Sequence, residues 1–166
     1  MTKSDIRLRE VVFAQDAQQV EAIVRSTGFF SADEIAIARE LVEERLDKGA
    51  ASGYHFLFAL RADKVVGYTC FGPIPATQSS FDLYWIALRD EERGQGTGRL
   101  LNGKTEEIVL RMGGRRLYAE TSGRSQYEST RAFYRRCGYT EAAVLEDFYA
   151  PGDAKIIYEK KLAAVD

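Results

Sequence analysis

Residues 83–88 read LYWIAL, and after four polar residues the chain continues with RGQGTG at 93–98 and RLLN at 99–102. The first stretch predicts an apolar strand, the three glycines predict a turn, and the last stretch predicts the start of a helix. The first N–H groups of a helix have no intrahelical partner and carry the positive end of the helix dipole. The stretch therefore predicts a backbone cradle for a phosphate or pyrophosphate, with a simple tight turn as the alternative.

The glycine spacing differs from that of two common nucleotide-binding loops. The turn lacks the Lys-Ser or Lys-Thr pair of a Walker loop, so hydrolysis of a magnesium nucleotide is not expected. A Gly-x-Gly-x-x-Gly loop would place its third glycine one residue after Gly98. It would also follow the first strand of its domain, whereas this turn lies in the middle of the chain.

The arrangement Arg93-x-x-Gly96-x-Gly98 resembles the Arg/Gln-x-x-Gly-x-Gly/Ala signature of the GCN5-related N-acetyltransferase (GNAT) family. The resemblance implies that the loop holds the pyrophosphate of acetyl-coenzyme A and that the preceding strand pairs with the pantetheine arm. It also implies that the backbone N–H of Leu88 polarises the thioester carbonyl. The cofactor-binding residues that it implies are Ile86, Ala87, Leu88, Arg93, Gly94, Gln95, Gly96, Thr97, Gly98, Arg99, Tyr127 and Thr130.

A second motif, AFYRRCGY at residues 132–139, resembles the Phe-Tyr-x-x-x-Gly-Phe/Tyr element of the same family. The residues themselves predict a helix that ends at Gly138, which suits a left-handed C-cap. The resemblance makes Tyr134 the general acid that protonates the leaving thiolate, while a half-buried aromatic on an amphipathic helix is the alternative. Tyr127 departs from the family pattern, which often has an asparagine there, and Ser129 or Thr130 could replace part of that contact.

The catalytic base has three candidates. Glu120 aligns with the glutamate that ribosomal-protein acetyltransferases use, and Asp82 lies on the strand before the loop, where several family members have a glutamate. Either residue could instead be a solvated carboxylate near a strand end. The third candidate is an ordered-water relay without a dedicated base.

The resemblance implies that the acceptor is an amine, and four aromatic residues are candidates for its pocket, although each also suits a core. These residues are Phe29, Phe30, Trp85 and Tyr149. The stretch DFYAPGD at 147–153 resembles the last hairpin of some ribosomal-protein alanine acetyltransferases, and Asp147 and Asp153 could attract an ammonium group. A small amino-acid-like amine is therefore the first prediction and a peptide N-terminus the second. A sensor that binds acyl-coenzyme A without turnover is the third.

Composition narrows the class of protein further. The chain has 166 residues, enough for one N-acetyltransferase domain over 1–166, and its net charge of −2 does not suggest a nucleic-acid partner. Cys70 and Cys137 have no metal-site spacing, and His55 is the only histidine, so no metal is expected. Reduced thiols fit a cytoplasmic protein.

Neither a membrane span nor a signal peptide is predicted. No apolar run approaches the roughly 20 residues that a spanning helix needs, and residues 1–5, MTKSD, lead into an alternating strand. Dimerisation through the last strands is a habit of the family, and no sequence feature of this chain argues for it. The partners expected are an amine or peptide N-terminus, without nucleic acid or membrane.

The hydrophobic periodicity predicts an α/β fold of the order β-α-α-β-β-β-α-β-α-β-β around a mixed central sheet flanked by helices, which matches the GNAT-like fold. The first strand is expected over Ile6 to Phe13, with Asp16 as the cap of the next helix. Residues 31–34, SADE, predict a capping box that opens a second helix. The last two strands are expected over residues 139–146 and 155–161.

Overall fold

The computed structural model describes residues 5–163, and the first four residues of the MTKSD segment lie outside this range. The element order agrees with the sequence prediction, so the α/β fold is confirmed. The elements are β1 (Arg7–Arg9), α1 (Asp16–Ser26), α2 (Ala32–Lys48), β2 (His55–Arg61), β3 (Lys64–Pro73), β4 (Ser80–Leu88), α3 (Thr97–Arg111), β5 (Arg116–Ser122), α4 (Glu128–Arg136), β6 (Thr140–Ala150) and β7 (Asp153–Lys161).

The seven strands form one mixed sheet in the order β1-β2-β3-β4-β5-β7-β6. The pairs β1–β2, β2–β3, β5–β7 and β6–β7 are antiparallel, whereas β4 and β5 are parallel. The paired positions of β4 and β5 run from Ser80–Arg116 to Leu83–Ala119. Strand β4 itself continues to Leu88, so residues 84–88 lie beyond those paired positions.

The chain divides into two compact units. The first unit runs up to Gly72 and also contains residues Trp85–Thr105, and the second contains Pro73–Tyr84 and the chain from Glu106 onward. In the first unit, the apolar faces of α1 and α2 pack with β2 and β3 around buried aromatic rings, which include Phe58 and Tyr68. The predicted capping box is present at Ser31 and Glu34, and α2 ends where the next residue, a glycine, has a φ of +62°.

The second unit has its own buried side chains on β4, β5 and β7. They are Phe81, Leu83, Leu117, Ala119 and Tyr158. The turn after α3 approaches this core closely, because a Cβ on Gly114 would lie 2.3 Å from Val109 Cγ1. Glycine is therefore required there for packing space.

The N-terminal prediction was wrong in two details. Strand β1 covers only Arg7–Arg9 and not the whole of 6–13. Asp16 is the first residue of α1 and does not cap it: its carboxylate accepts hydrogen bonds from the Arg9 guanidinium at 2.7 and 2.9 Å and from the Phe13 N–H at 2.7 Å. These bonds turn the chain after Arg9, which ends the strand early.

Strand β6 is longer than predicted and extends to Ala150. The turn to β7 is correspondingly short and contains Gly152, whose N–H donates a hydrogen bond of 2.7 Å to Asp147 Oδ1. Asp147 has a φ of +55°, so its backbone and side chain together shape the end of the hairpin. Asp147 therefore has a turn-forming partner within its own hairpin.

Candidate active site

The glycine loop, residues 93–98, lies in the first unit and leads directly into α3, which begins at Thr97. Gly94 and Gly96 have φ values of +74° and +85°, which residues with a Cβ rarely adopt. Among residues 5–163, and apart from the adjacent residues of the chain, no atom lies within 4 Å of a Cβ built on either glycine, so packing against the protein does not require them. Backbone conformation is the reason for both glycines, and their Cα positions face open space.

The charges around the glycine loop favour an anion. The first turn of α3 contains no acidic residue, and the N-terminus of a helix carries the positive end of its dipole. Just before the loop, buried Glu92 accepts hydrogen bonds from Arg61 Nε at 2.9 Å and from the Thr97 hydroxyl at 3.4 Å. Glu91 lies 3.9 Å from Lys64 Nζ. These acidic side chains are paired with cations, and the loop backbone remains suited to a phosphate.

The end of β4 is fitted closely against β3. A Cβ on Gly67 would lie 2.5 Å from Leu88 Cδ2 and 3.1 Å from the carbonyl oxygen of Ala87. The N–H of Arg89 donates a hydrogen bond of 2.8 Å to the Val66 carbonyl. The strand that the family resemblance assigns to the pantetheine arm is thus positioned by a glycine on its neighbour.

Three of the four aromatic residues predicted for the acceptor pocket lie in the first unit. The rings of Phe30 and Trp85 are 5.0 Å apart and pack against the core, so both have the structural role that the sequence left open. The guanidinium of Arg93 lies 5.5 Å from the centre of the Phe29 ring. Tyr149 lies in the second unit and is half exposed.

Tyr134 lies on α4 in the second unit and is only 5% exposed. Its ring centre is 5.3 Å from that of Tyr139 and 5.5 Å from that of Tyr158. Burial among these rings raises the pKa of the Tyr134 phenol well above its usual value. The phenol therefore keeps its proton at neutral pH, and the helix ends as predicted, near Gly138 with a φ of +90°.

Arg131, one turn before Tyr134, holds the segment that leads into α4. Its guanidinium donates hydrogen bonds to the carbonyl oxygens of Ser122 and Arg124 at 2.7 and 2.9 Å and to the Glu128 carboxylate at 2.8 Å. The residue is only 8% exposed. It is a structural anchor, and the sequence offered one signal for it, the three-residue spacing that places Arg131 and Tyr134 on the same side of the helix.

Tyr127 lies in a short 3₁₀ turn before α4 and is buried. The Arg124 guanidinium lies 5.7 Å from its ring centre and 3.1 Å from Asp153 Oδ2. The Ser122 hydroxyl donates to the other oxygen of Asp153. Asp153 therefore fixes the segment that contains Tyr127, which differs from the ammonium-binding role considered from the sequence.

The charged sheet face, defined here by Asp82, Glu120 and Lys155, brings together the two predicted base candidates and a lysine that the sequence analysis missed. Lys155 Nζ lies 2.8 Å from Glu120 Oε2. Partial burial and the negative charge of Glu120 raise the pKa of Asp82 to about 6, and Lys155 acts in the opposite direction. All three residues belong to the second unit.

A family model described as the acetyltransferase (GNAT) family matches residues 21–139, which contain the glycine loop and the tyrosine motif. The chain belongs to the GNAT family. It is accordingly an acetyltransferase, and the family and the enzyme class predicted from the two motifs are confirmed.

Relatives of this acetyltransferase agree with the assignment. A structure from Desulfovibrio desulfuricans, assigned to the GNAT family, has 48% identity and a TM-score of 0.94 over 96% of this chain and 100% of that chain. The Bacillus subtilis (strain 168) uncharacterized N-acetyltransferase YuaI is 37% identical over 71 residues, which are 40% of this chain and 41% of YuaI. An aminoglycoside 6'-N-acetyltransferase complexed with coenzyme A has 18% identity and a TM-score of 0.75 over 96% and 99% of the two chains, and shows that the fold is shared.

Two further observations concern metal ions and membranes. Over residues 5–163, no three or more His, Cys, Asp or Glu side chains form a group suited to a metal ion. Within the same residues, no helix is long and apolar enough to cross a membrane.

Proposed function

We propose that this acetyltransferase moves the acetyl group of acetyl-coenzyme A to the primary amine of a small, amino-acid-like acceptor. The observation that carries the proposal is the glycine loop, with Gly94 and Gly96 at positive φ immediately before α3. A helix N-terminus preceded by open backbone N–H groups is suited to a pyrophosphate. We propose further that residues 1–166 act as one catalytic domain and that the protein is cytoplasmic.

Acetyl-coenzyme A supplies the activated acetyl thioester. In this proposal, residues 93–99 hold its pyrophosphate, and the end of β4 holds the pantetheine arm through Ile86, Ala87 and Leu88. The N–H of Leu88 donates to the thioester carbonyl. A backbone donor of this kind contributes about 100- to 1000-fold to the rate of comparable reactions.

Tyr134 is the proposed proton donor to the departing sulfur. Tyrosine phenols carry their proton throughout the neutral range, so Tyr134 has a proton to donate. The aromatic contacts of its ring also restrict the side chain to one orientation. Both properties suit a group that must deliver a proton to one position.

Asp82 is the proposed base, in preference to Glu120. Glu120 is committed to Lys155 at 2.8 Å, whereas the pKa of Asp82, raised to about 6, suits proton uptake near neutrality. The amine nitrogen bonds to the acetyl carbon and the carbon–sulfur bond breaks. The proton from the amine passes to Asp82, directly or through a water molecule, and the proton of Tyr134 passes to the sulfur.

The proposal is tested by thiol release from acetyl-coenzyme A with a panel of amino acids, polyamines, aminoglycosides and short peptides. We expect amino acids to drive release. We also expect acetyl-coenzyme A at about 100 times its Kd to stabilise the protein by roughly 2.7 kcal/mol. If acetyl-coenzyme A does not stabilise the fold, the assignment of the glycine loop is wrong.

The same panel separates the alternatives. Release driven by peptides alone would favour the acetylation of a peptide N-terminus, which the hairpin at 147–153 suggested. Stabilisation by acetyl-coenzyme A without release by any acceptor would favour a sensor over an enzyme.

A further inference from the structure

The three residues of the charged sheet face lie on three different strands and share one side of the sheet. Asp82 on β4 is paired with Tyr118 on β5, and Glu120 lies two residues further along β5. Glu120 is paired with Ile157 on β7, and Lys155 lies two residues before it. Because side chains alternate along a strand and paired residues share a face, Asp82, Glu120 and Lys155 project from the same face as their paired neighbours Tyr118 and Ile157.

The buried side chains of the second unit on these strands project from the opposite face. Phe81, Leu83, Leu117, Ala119 and Tyr158 are each less than 5% exposed. The charged sheet face, in contrast, retains partial exposure, since the side chain of Glu120 is 45% exposed. This face of the unit is therefore open enough to receive a small molecule.

Lys155 is unusually enclosed for a lysine on an open sheet face. Its side chain is 17% exposed, and Nζ lies 4.4 Å from the centre of the Phe148 ring as well as 2.8 Å from Glu120. Lysine side chains commonly extend their charge into solvent, and holding one in place costs rotamer entropy. Phe148 and Glu120 thus keep a cation in a fixed position on the sheet.

Stability alone gives little reason for this arrangement. Strands β5 and β7 are already joined by an antiparallel ladder from Arg116–Lys161 to Ser122–Lys155. An ion pair with a half-exposed carboxylate contributes little to folding. A fixed cation beside two carboxylates does, however, match a ligand that carries both charges.

Building on the proposed function, we propose that Lys155 is a specificity-determining residue that selects acceptors with an amine and a carboxylate on neighbouring atoms. The ammonium group of Lys155 binds the acceptor carboxylate. Asp82 and Glu120 receive the acceptor ammonium. The ammonium first loses one proton to bulk water, and Asp82 accepts the second proton as the carbon–nitrogen bond forms. The substrate class is therefore a free amino acid or a compound with the same pair of groups.

The positive charge of Lys155 on the charged sheet face also argues against polycationic acceptors. An aminoglycoside or polyamine presents several ammonium groups, and such a ligand would place one of them near Lys155. The ammonium group of Lys155 would repel that ammonium group of the ligand, and the repulsion is strongest where water is partly excluded. A fixed lysine on the strand next to that of Glu120 thus disfavours polycations and favours zwitterions.

The experiment compares each amino acid of the panel with its own carboxamide, which keeps the amine and removes the carboxylate charge. We expect kcat/KM of the wild type to favour the amino acid by about 10- to 100-fold, the range for a charge-assisted hydrogen bond. In Lys155→Met, this ratio should fall to about 1, while Lys155→Arg keeps most of the preference. Lys161→Met, an exposed lysine on the same strand, is the matched control and should keep all of it.

The outcomes distinguish this inference from the proposed function on which it rests. A wild type that acetylates carboxamides, peptides or polyamines as well as amino acids overturns the role of Lys155 and leaves the acetyltransfer intact. A folded Lys155→Met that keeps the wild-type preference for amino acids over carboxamides would also overturn the role of Lys155. If Lys155→Met does not fold, the inference is tested by the wild-type preference for amino acids over carboxamides and by whether Lys155→Arg keeps most of that preference. Absence of release with every acceptor overturns both proposals.

Discussion

The glycine loop and the charged sheet face are built on opposite principles. The loop is one continuous run of residues, 93–98, whose chemistry comes from backbone N–H groups and from φ values that glycine permits. The charged sheet face is assembled from β4, β5 and β7, and Asp82 and Lys155 are far apart in the sequence. Its chemistry comes entirely from side chains.

The difference determines how each region responds to mutation. A backbone cradle has several N–H donors, so a single substitution shifts its geometry and weakens binding by degrees. A side-chain site depends on individual groups, so the loss of one atom removes one function. Side-chain substitutions in the second unit should therefore reduce turnover steeply, whereas loop substitutions should reduce affinity moderately.

The largest effect is expected from Tyr134→Phe. The variant keeps the ring that contacts Tyr139 and Tyr158 but loses the hydroxyl, so kcat should fall by about 10²- to 10⁴-fold with little change in the KM for acetyl-coenzyme A. Tyr54→Phe, a partly buried tyrosine of the first unit, is the control. A similar kcat in the wild type and Tyr134→Phe would remove Tyr134 from the mechanism.

The raised pKa of Tyr134 adds a pH test. Its phenol is protonated well beyond neutrality, so its ionisation should not lower the wild-type rate below about pH 10. An alkaline decline at lower pH that disappears in Tyr134→Phe would contradict this environment.

The next largest effect concerns the anchor behind Tyr134. Arg131→Met removes the guanidinium donor from the carbonyl oxygens of Ser122 and Arg124, of which the Arg124 oxygen keeps the Tyr127 N–H, and we expect the free energy of unfolding to fall by about 1–3 kcal/mol. Arg135→Met, a half-exposed arginine of the same helix, should cost much less than Arg131→Met. Urea unfolding measures both, and equal losses would show that burial of Arg131 contributes nothing.

A smaller effect is expected in the backbone cradle. Gly96→Ala and Gly113→Ala both place a Cβ at positive φ, +85° and +92°, and both should lose roughly 1–2 kcal/mol of stability. Only Gly96→Ala should weaken acetyl-coenzyme A binding, by about 10-fold, because Gly113 lies outside the loop. Isothermal titration with acetyl-coenzyme A measures the affinity of both variants. Equal affinity would show that the loop conformation is not part of the cradle.

The smallest effect is a shift of the acid limb of kcat/KM. Asp82 must be ionised to accept a proton, so the rate should fall as the pH falls through about 6. Glu120→Gln removes the negative charge that raises the pKa of Asp82, and the limb should move to lower pH by up to about one unit. Lys155→Met should move it to higher pH. An unchanged limb in both variants would exclude Asp82 as its origin.

Exposed Glu146 on β6 supplies the control for that titration. Glu146→Gln changes the net charge of the protein by the same amount as Glu120→Gln. A limb that moves equally in the two variants would reflect overall charge and not the charged sheet face.

Local signals carried most of what the sequence predicted correctly. The Ser31–Glu34 capping box and the succession of strand, glycine turn and helix around residues 83–102 depend on residues a few positions apart, and both are confirmed. Asp16 was mistaken for a cap because a competing partner, Arg9, lies across a turn that no periodicity reveals.

The rest depended on strand register. The contact between Lys155 and Glu120 requires knowing which residues of β5 and β7 are opposite each other, and hydrophobic alternation gives the face of a strand but not its alignment. The burial of Arg131 could not be predicted either, since it depends on the carbonyl groups of a segment whose conformation is irregular. Glu120, Asp82 and Tyr134 remain predictions as catalytic groups.

Gly67 never needs to touch a ligand, yet it decides whether the end of β4 can occupy its place. A single methyl group there would meet Leu88 at 2.5 Å, and Ala87 and Leu101 are also within reach. A library of all substitutions at position 67 should therefore select glycine as strictly as one at position 96. Engineers who redesign the donor pocket for a longer acyl chain should leave residue 67 unchanged and vary its neighbours.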